Sequence, residues 1–159
     1  MVKTMDLGAV ANNGLLAYNE SRKLAACTDG TSNTFIVGEQ AGVNTYGCPY
    51  NANYEGAWAG CSLKKKFSEM TPGEHLYGAG LTSVYMGPNY RDANPGSPKG
   101  PNGEQMNMSY TLNTVFDSKH GAGCNMLRLD GSVAFMSETI DVENFRALCS
   151  MNDGKTVAL

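Results

Sequence analysis

Residues 118–148, SKHGAGCNMLRLDGSVAFMSETIDVENFRAL, decide the fold. Two strand-like runs, NMLRL and SVAFMS, flank Asp130-Gly131. Asp-Gly between such runs marks a β-hairpin, because a type I′ turn needs positive φ at both central residues. That turn sets Leu129 opposite Ser132, Arg128 opposite Val133 and Met126 opposite Phe135. Cross-strand partners share a face, so Met126, Val133 and Phe135 are expected to form one apolar patch. The next run, TIDVENFRALCS, has apolar residues at Ile140, Val142, Phe145, Leu148 and Cys149. A spacing of three to four predicts a helix whose buried side includes Phe145 and Leu148. Thr139 or Asp141 can cap its start, and Asp141 and Glu143 suit the positive end of its dipole. Gly154 lies beyond its end.

The same stretch raises a chemical question, because nine residues separate His120 from Asp130. An extended segment holds the two up to ~33 Å apart, at ~3.3 Å per residue. Acid–base partners must meet near ~3 Å. Asp130 is therefore read as a turn residue and His120 as a packing or capping residue. Residue types alone permit a Cys-His pair, from Cys124 or Cys149 with His120 or His75. Nothing in the spacing selects one, and no catalytic residue is assigned. Asp92, Asn94 and Gly96 have partial calcium-loop spacing but lack the closing Glu. Two histidines without a nearby acidic cluster make a poor zinc site. No metal and no cofactor is expected, and no phosphate-binding glycine loop or nucleophile elbow occurs.

Away from this stretch the chain is less regular. With 159 residues it is expected to form a single domain, 1–159. The net charge of −3 gives no electrostatic case for nucleic acid. Glycine is abundant, at 19 residues, and charge is sparse, at 17%, which favours a loop-rich, strand-containing domain over a helical bundle. No apolar run approaches the ~20 residues of a membrane helix. The first ten residues give no firm element, and Thr34–Val37 reads as a strand. The region from about 42 to 110 is rich in Gly, Asn, Pro and Tyr and reads as an irregular insertion. Five cysteines leave at least one thiol unpaired in a monomer. Cys48 and Cys61 flank one loop and could close it as a disulfide in an oxidising compartment, or serve as buried apolar side chains.

Two blocks carry a family resemblance. His120-x9-Asp130-Gly131 matches the motif of the bacterial prepilin processing-associated H-x9-DG family. TDGTSNTFIVGEQ, residues 28–40, resembles that family's "TDGTSNT–apolar–GE" block, through Asp29, Gly30, Ser32, Asn33, Gly38 and Glu39. Gly56 to Ala59, with Trp58, resembles its short Trp motif. The likeness covers roughly Asn13 to Val157 and is weak between about Lys64 and Met108. The chain departs from the pattern after His120, where Gly-Ala-Gly-Cys replaces the usual Pro-Gly-Gly-Ala. The cleavage site and long apolar helix of a prepilin are not in this sequence.

The resemblance implies an α+β head: an antiparallel sheet, long loops, and a C-terminal hairpin and helix over 118–150, without the stem helix. It implies a non-catalytic structural or interaction domain of an exported pilin-like or pseudopilin-like protein, as in type IV pilus or type II secretion systems. Other pilin-like subunits or envelope components are the expected partners, through the sheet face and loops. The expected location is extracellular or at the cell surface, with the full-length protein anchored in the inner membrane before assembly. Two other readings stand beside it. One is a glycan-binding module using Trp58 and the tyrosines at 46, 50 and 54. The other is a Cys- or His-dependent hydrolase.

Overall fold

The computed structural model describes residues 2–5, 8–40, 60–61, 65–73, 78–79, 81–84, 86–90 and 116–157. It is an α+β fold built on a three-stranded antiparallel sheet. The sheet contains β3 (Phe35–Gly38), β6 (Gly123–Arg128) and β7 (Val133–Ser137), in the order β3-β6-β7. An α-helix, α1 (Val142–Leu148), follows β7. Two strand pairs and three 3-10 turns, Leu24–Ala26, Thr31–Asn33 and Phe67–Glu69, complete the described elements. β1 (Val2–Met5) and β2 (Gly8–Ala11) form an antiparallel pair that the sequence did not announce. β4 (Gly60–Cys61) and β5 (Gly78–Ala79) form a short second pair.

The hairpin is present, but its register differs from the expected one. Leu127 lies opposite Val133, Met126 opposite Ala134 and Asn125 opposite Phe135. The loop holds three residues instead of two: Gly131 N–H donates to Arg128 O, and Arg128 N–H donates to Ser132 O. Gly131 has a φ of +89°, while Asp130 is not among the residues with positive φ. This is a type I turn followed by a glycine bulge. Asp130 favours it because its carboxylate accepts from Ser132 N–H at 2.9 Å and Ser132 Oγ at 2.7 Å. One extra loop residue shifts the pairing by one and reverses which set of side chains in β7 faces inward. Met136 is therefore buried, while Val133 and Phe135 are 64% and 52% exposed. The expected patch of Met126, Val133 and Phe135 does not form.

The core lies between the inner sheet face and α1. It contains Phe35, Cys124, Met126, Met136, Phe145 and Leu148. Asp141 caps the helix, its carboxylate accepting from Asn144 N–H at 2.9 Å, and Glu143 sits in the first turn. Phe145 and Leu148, three apart, point inward as the periodicity required. Phe116 meets the Phe145 ring edge-on at 6.2 Å. β3 bends at a bulge between Phe35 and Val37, so Phe35 is buried while Val37 is exposed. After the bulge, Gly38 permits a close approach: a Cβ there would lie 2.5 Å from Met126 Sδ and 2.6 Å from Phe116 Cδ1. No helix among the described residues is long and apolar enough to cross a membrane.

Candidate functional site

The β3–β6 ladder brings the two sequence blocks together, end to end. At the hairpin tip, Leu129 N–H donates to Thr34 O at 2.9 Å and Asp130 N–H to Thr31 O at 3.1 Å. At the opposite end, the Glu39 carboxylate accepts from Asn125 N–H at 2.7 Å and Asn125 Nδ2 at 3.0 Å. His120 Nε2 lies 3.5 Å from Glu39 Oε1. The separation of His120 from Asp130 thus matches the separation of Glu39 from Thr31 on the facing segment. His120 and Asp130 bond to different groups at the two ends of the ladder. They form no reacting pair.

The remaining residues of the first block hold backbone. Gly30 has a φ of +97° and leads into a 3-10 turn over Thr31–Asn33. Thr34 is fully buried and donates to Gly30 O at 3.1 Å. The Asp29 carboxylate accepts from Asp153 N–H at 2.8 Å and Gly154 N–H at 3.0 Å, pinning the C-terminal tail. Asn33 Nδ2 donates to Lys155 O at 3.2 Å. Ser32 is exposed. Trp58, the tyrosines at 46, 50 and 54, His75, and Asp92, Asn94 and Gly96 lie outside the described residues, as does the proposed Cys48–Cys61 pairing with respect to its side chains.

The His120 loop is set by two residues that sequence reading passed over. Asn89 is buried with a φ of +53°. Its Nδ2 donates to His120 O at 3.2 Å and Gly123 O at 3.1 Å, and its Oδ1 accepts from Ser118 N–H at 2.8 Å. Ser118 Oγ donates to Gly123 O at 2.7 Å and accepts from His120 N–H at 3.0 Å. The signal in the sequence was the Pro88-Asn89 pair, since Asn tolerates left-handed backbone at a turn. Ala122 also has positive φ, at +81°, in the left-handed region that favours glycine. Ala122→Gly should therefore raise stability by about 1 kcal/mol. Thermal melting of the variant checks this.

Hydrogen bonds from Asn125 hold the Glu39 carboxyl below its ordinary value of 4.5, the backbone N–H contributing most; partial desolvation opposes them and His120 adds a smaller lowering. A carboxyl depressed by folding stabilises the protein above its unfolded pKa, and that contribution is lost as pH falls through the folded pKa. Glu39→Gln should melt below the parent at neutral pH, with the gap closing as the pH falls below 4.5. Paired melting curves across acid pH give the test. Burial, followed by the Glu39 and Asp117 carboxylates, pushes the Cys124 thiol up to about 12. Burial also pushes Cys149 up. Neither thiol has the lowered pKa of an activated nucleophile. Among the described residues, no group of three or more His, Cys, Asp and Glu side chains could hold a metal ion.

The outer sheet face has a different character. Val37, Leu127 and Val133 form one cross-strand row. The neighbouring row contains Asn125 and Phe135, with Glu39 bonded to Asn125. Val37, Val133 and Phe135 are all exposed. This is an apolar strip bordered by the polar His120–Glu39–Asn125 group.

The family model described as "Protein of unknown function (DUF1559)" matches residues 4–143. The chain belongs to the DUF1559 family. No curated protein and no solved structure matches it. The DUF1559 match takes in both sequence blocks and the whole β3-β6-β7 sheet, and it ends just inside α1.

Proposed function

We propose that this chain is the non-catalytic interaction head of a pilin-like or pseudopilin-like protein, exported by a bacterium and presented at the cell surface. The observation that carries this reading is the outer sheet face. Apolar side chains on adjacent strands stand in solvent there, and such a strip marks a contact surface. In a pilin-like protein this face would pack on the stem helix or on neighbouring subunits. The blocks that spell the H-x9-DG resemblance support the same reading. Asp29, Glu39 and Asp130 accept hydrogen bonds that hold turns, a strand pair and the tail. Among the described residues, the Cys124 and Cys149 thiols are held protonated by burial.

The test uses the full-length exported protein in its host envelope. Val37→Lys puts a charge on the outer face without touching the inner core. The variant should keep its melting temperature and lose co-recovery with envelope pilin-like subunits by about tenfold, a change of ~1.4 kcal/mol. Unchanged co-recovery would overturn the role of this face. A companion assay compares the parent with His120→Ala on ester, peptide and glycoside substrates. A parental turnover that disappears in a folded His120→Ala protein would sink the non-catalytic reading.

A further inference from the structure

The β7 strand is an open edge of the sheet. β6 covers one side of it, and among the described residues no strand covers the other. Alternation of the ladder fixes which backbone groups point outward. Arg128 and Ser132 are bonded, and Glu138 N–H donates to Ala122 O. Ala134 and Met136 therefore direct their backbone groups to β6, while Val133, Phe135 and Ser137 direct theirs to the open side. Ser137 O already accepts from Ile140 N–H. This leaves both groups of Val133 and Phe135, and the N–H of Ser137, facing solvent.

Natural edge strands usually block such pairing with a charge, a proline or a bulge. The β7 run, Val-Ala-Phe-Met-Ser, has no charge and no proline. Its register with β6 is unbroken. The side chains of Val133 and Phe135 are more than half exposed on the same residues whose backbone is open.

We propose that β7 pairs antiparallel with β7 of a second copy of this chain, joining two three-stranded sheets into one. The inference rests on the reading of the chain as an interaction head and names the partner. Pairing centred on Phe135 sets the two phenylalanines opposite each other on the outer face. Val133 then lies opposite Ser137 of the second copy, so the exposed N–H of Ser137 meets the open carbonyl of Val133. The charges at the ends agree with this choice. Ser132 lies opposite Glu138 of the second copy, and Arg128 Nη1 reaches Ser132 Oγ at 3.2 Å. Each end of the paired strands therefore places an arginine beside the other copy's glutamate. The arrangement is two-fold symmetric, so the same patch serves both copies and closes at a dimer.

The experiment is sedimentation equilibrium of the chain over a range of concentrations, for the parent, Phe135→Pro and Leu24→Lys. Proline at 135 removes an outward N–H and leaves the bonds to β6 in place. Leu24→Lys charges another exposed apolar side chain, on the 3-10 turn Leu24–Ala26 outside the sheet. The parent and Leu24→Lys should dimerise alike. Phe135→Pro should weaken dimerisation by at least about tenfold while the monomer keeps its circular dichroism. Val133→Lys, which retains every backbone donor but charges the edge, should weaken it as well, and it tests the proposal if Phe135→Pro does not fold. A monomeric parent overturns edge pairing, as does a dimer that survives both edge variants or is lost in Leu24→Lys. Envelope co-recovery is scored separately, so a failed edge leaves the head reading standing or falling on its own result.

Discussion

Phe145→Ala should lower stability by about 3–5 kcal/mol, the usual cost of truncating a fully buried aromatic ring. The ring is completely buried between α1 and the inner sheet face and meets Phe116 edge-on. The loss therefore combines a cavity with a broken aromatic pair. A helix of seven residues cannot hold itself together in water, so its existence depends on this side chain and Leu148. Chemical denaturation should show the fall in midpoint, and the far-UV signal of the helix should disappear in the same transition. An unchanged midpoint would show that α1 is not anchored by this residue.

Asn89→Ala should cost about 3 kcal/mol, since a buried polar group left unpaired costs roughly 1–3 kcal/mol. The substitution removes the side-chain donor to His120 O and the acceptor for Ser118 N–H, and leaves Gly123 O with the Ser118 Oγ bond alone. It also asks alanine to hold a φ of +53°. Asn89→Asp is the informative companion, because it keeps the acceptor for Ser118 N–H and loses both donors. Its stability should lie below the parent. In both variants the amides of residues 118–123 should exchange faster than those of the β6–β7 ladder. Uniform exchange across the two segments would argue against Asn89 as the residue that holds the His120 loop.

These two residues show where sequence reading reached and where it stopped. Phe145 was legible because helical periodicity and burial say the same thing over a short local run. The Asp130-Gly131 turn was also legible, but its register was not. Both turn types accept Asp-Gly, and the choice depends on whether the Asp side chain bonds Ser132 or the Asp backbone turns left-handed. Asn89 carries three hydrogen bonds to a segment some 30 residues away, which no local pattern records. The pairing of Glu39 with Asn125 and His120 was hidden in the same way. The two sequence blocks were each recognisable, yet their contact appears only when β3 lies against β6.

That contact has a consequence for how the molecule assembles. β6, β7 and α1 follow one another closely, so their contacts are local. β3 must be carried across residues 39–122 to reach β6. Contacts of such separation slow folding, because chain entropy is lost before they form. The hairpin and helix are expected to collapse first and to present an open β6 edge that β3 fills later. The entropic cost of that closure grows only slowly with length, at about 0.6 kcal/mol for each doubling of a flexible loop. The connection between β3 and β6 can therefore grow or shrink at little thermodynamic cost while the sheet keeps its order. Until β3 arrives, both edges of the hairpin are open, so the order of assembly also sets when the molecule is most exposed to pairing with the wrong strand.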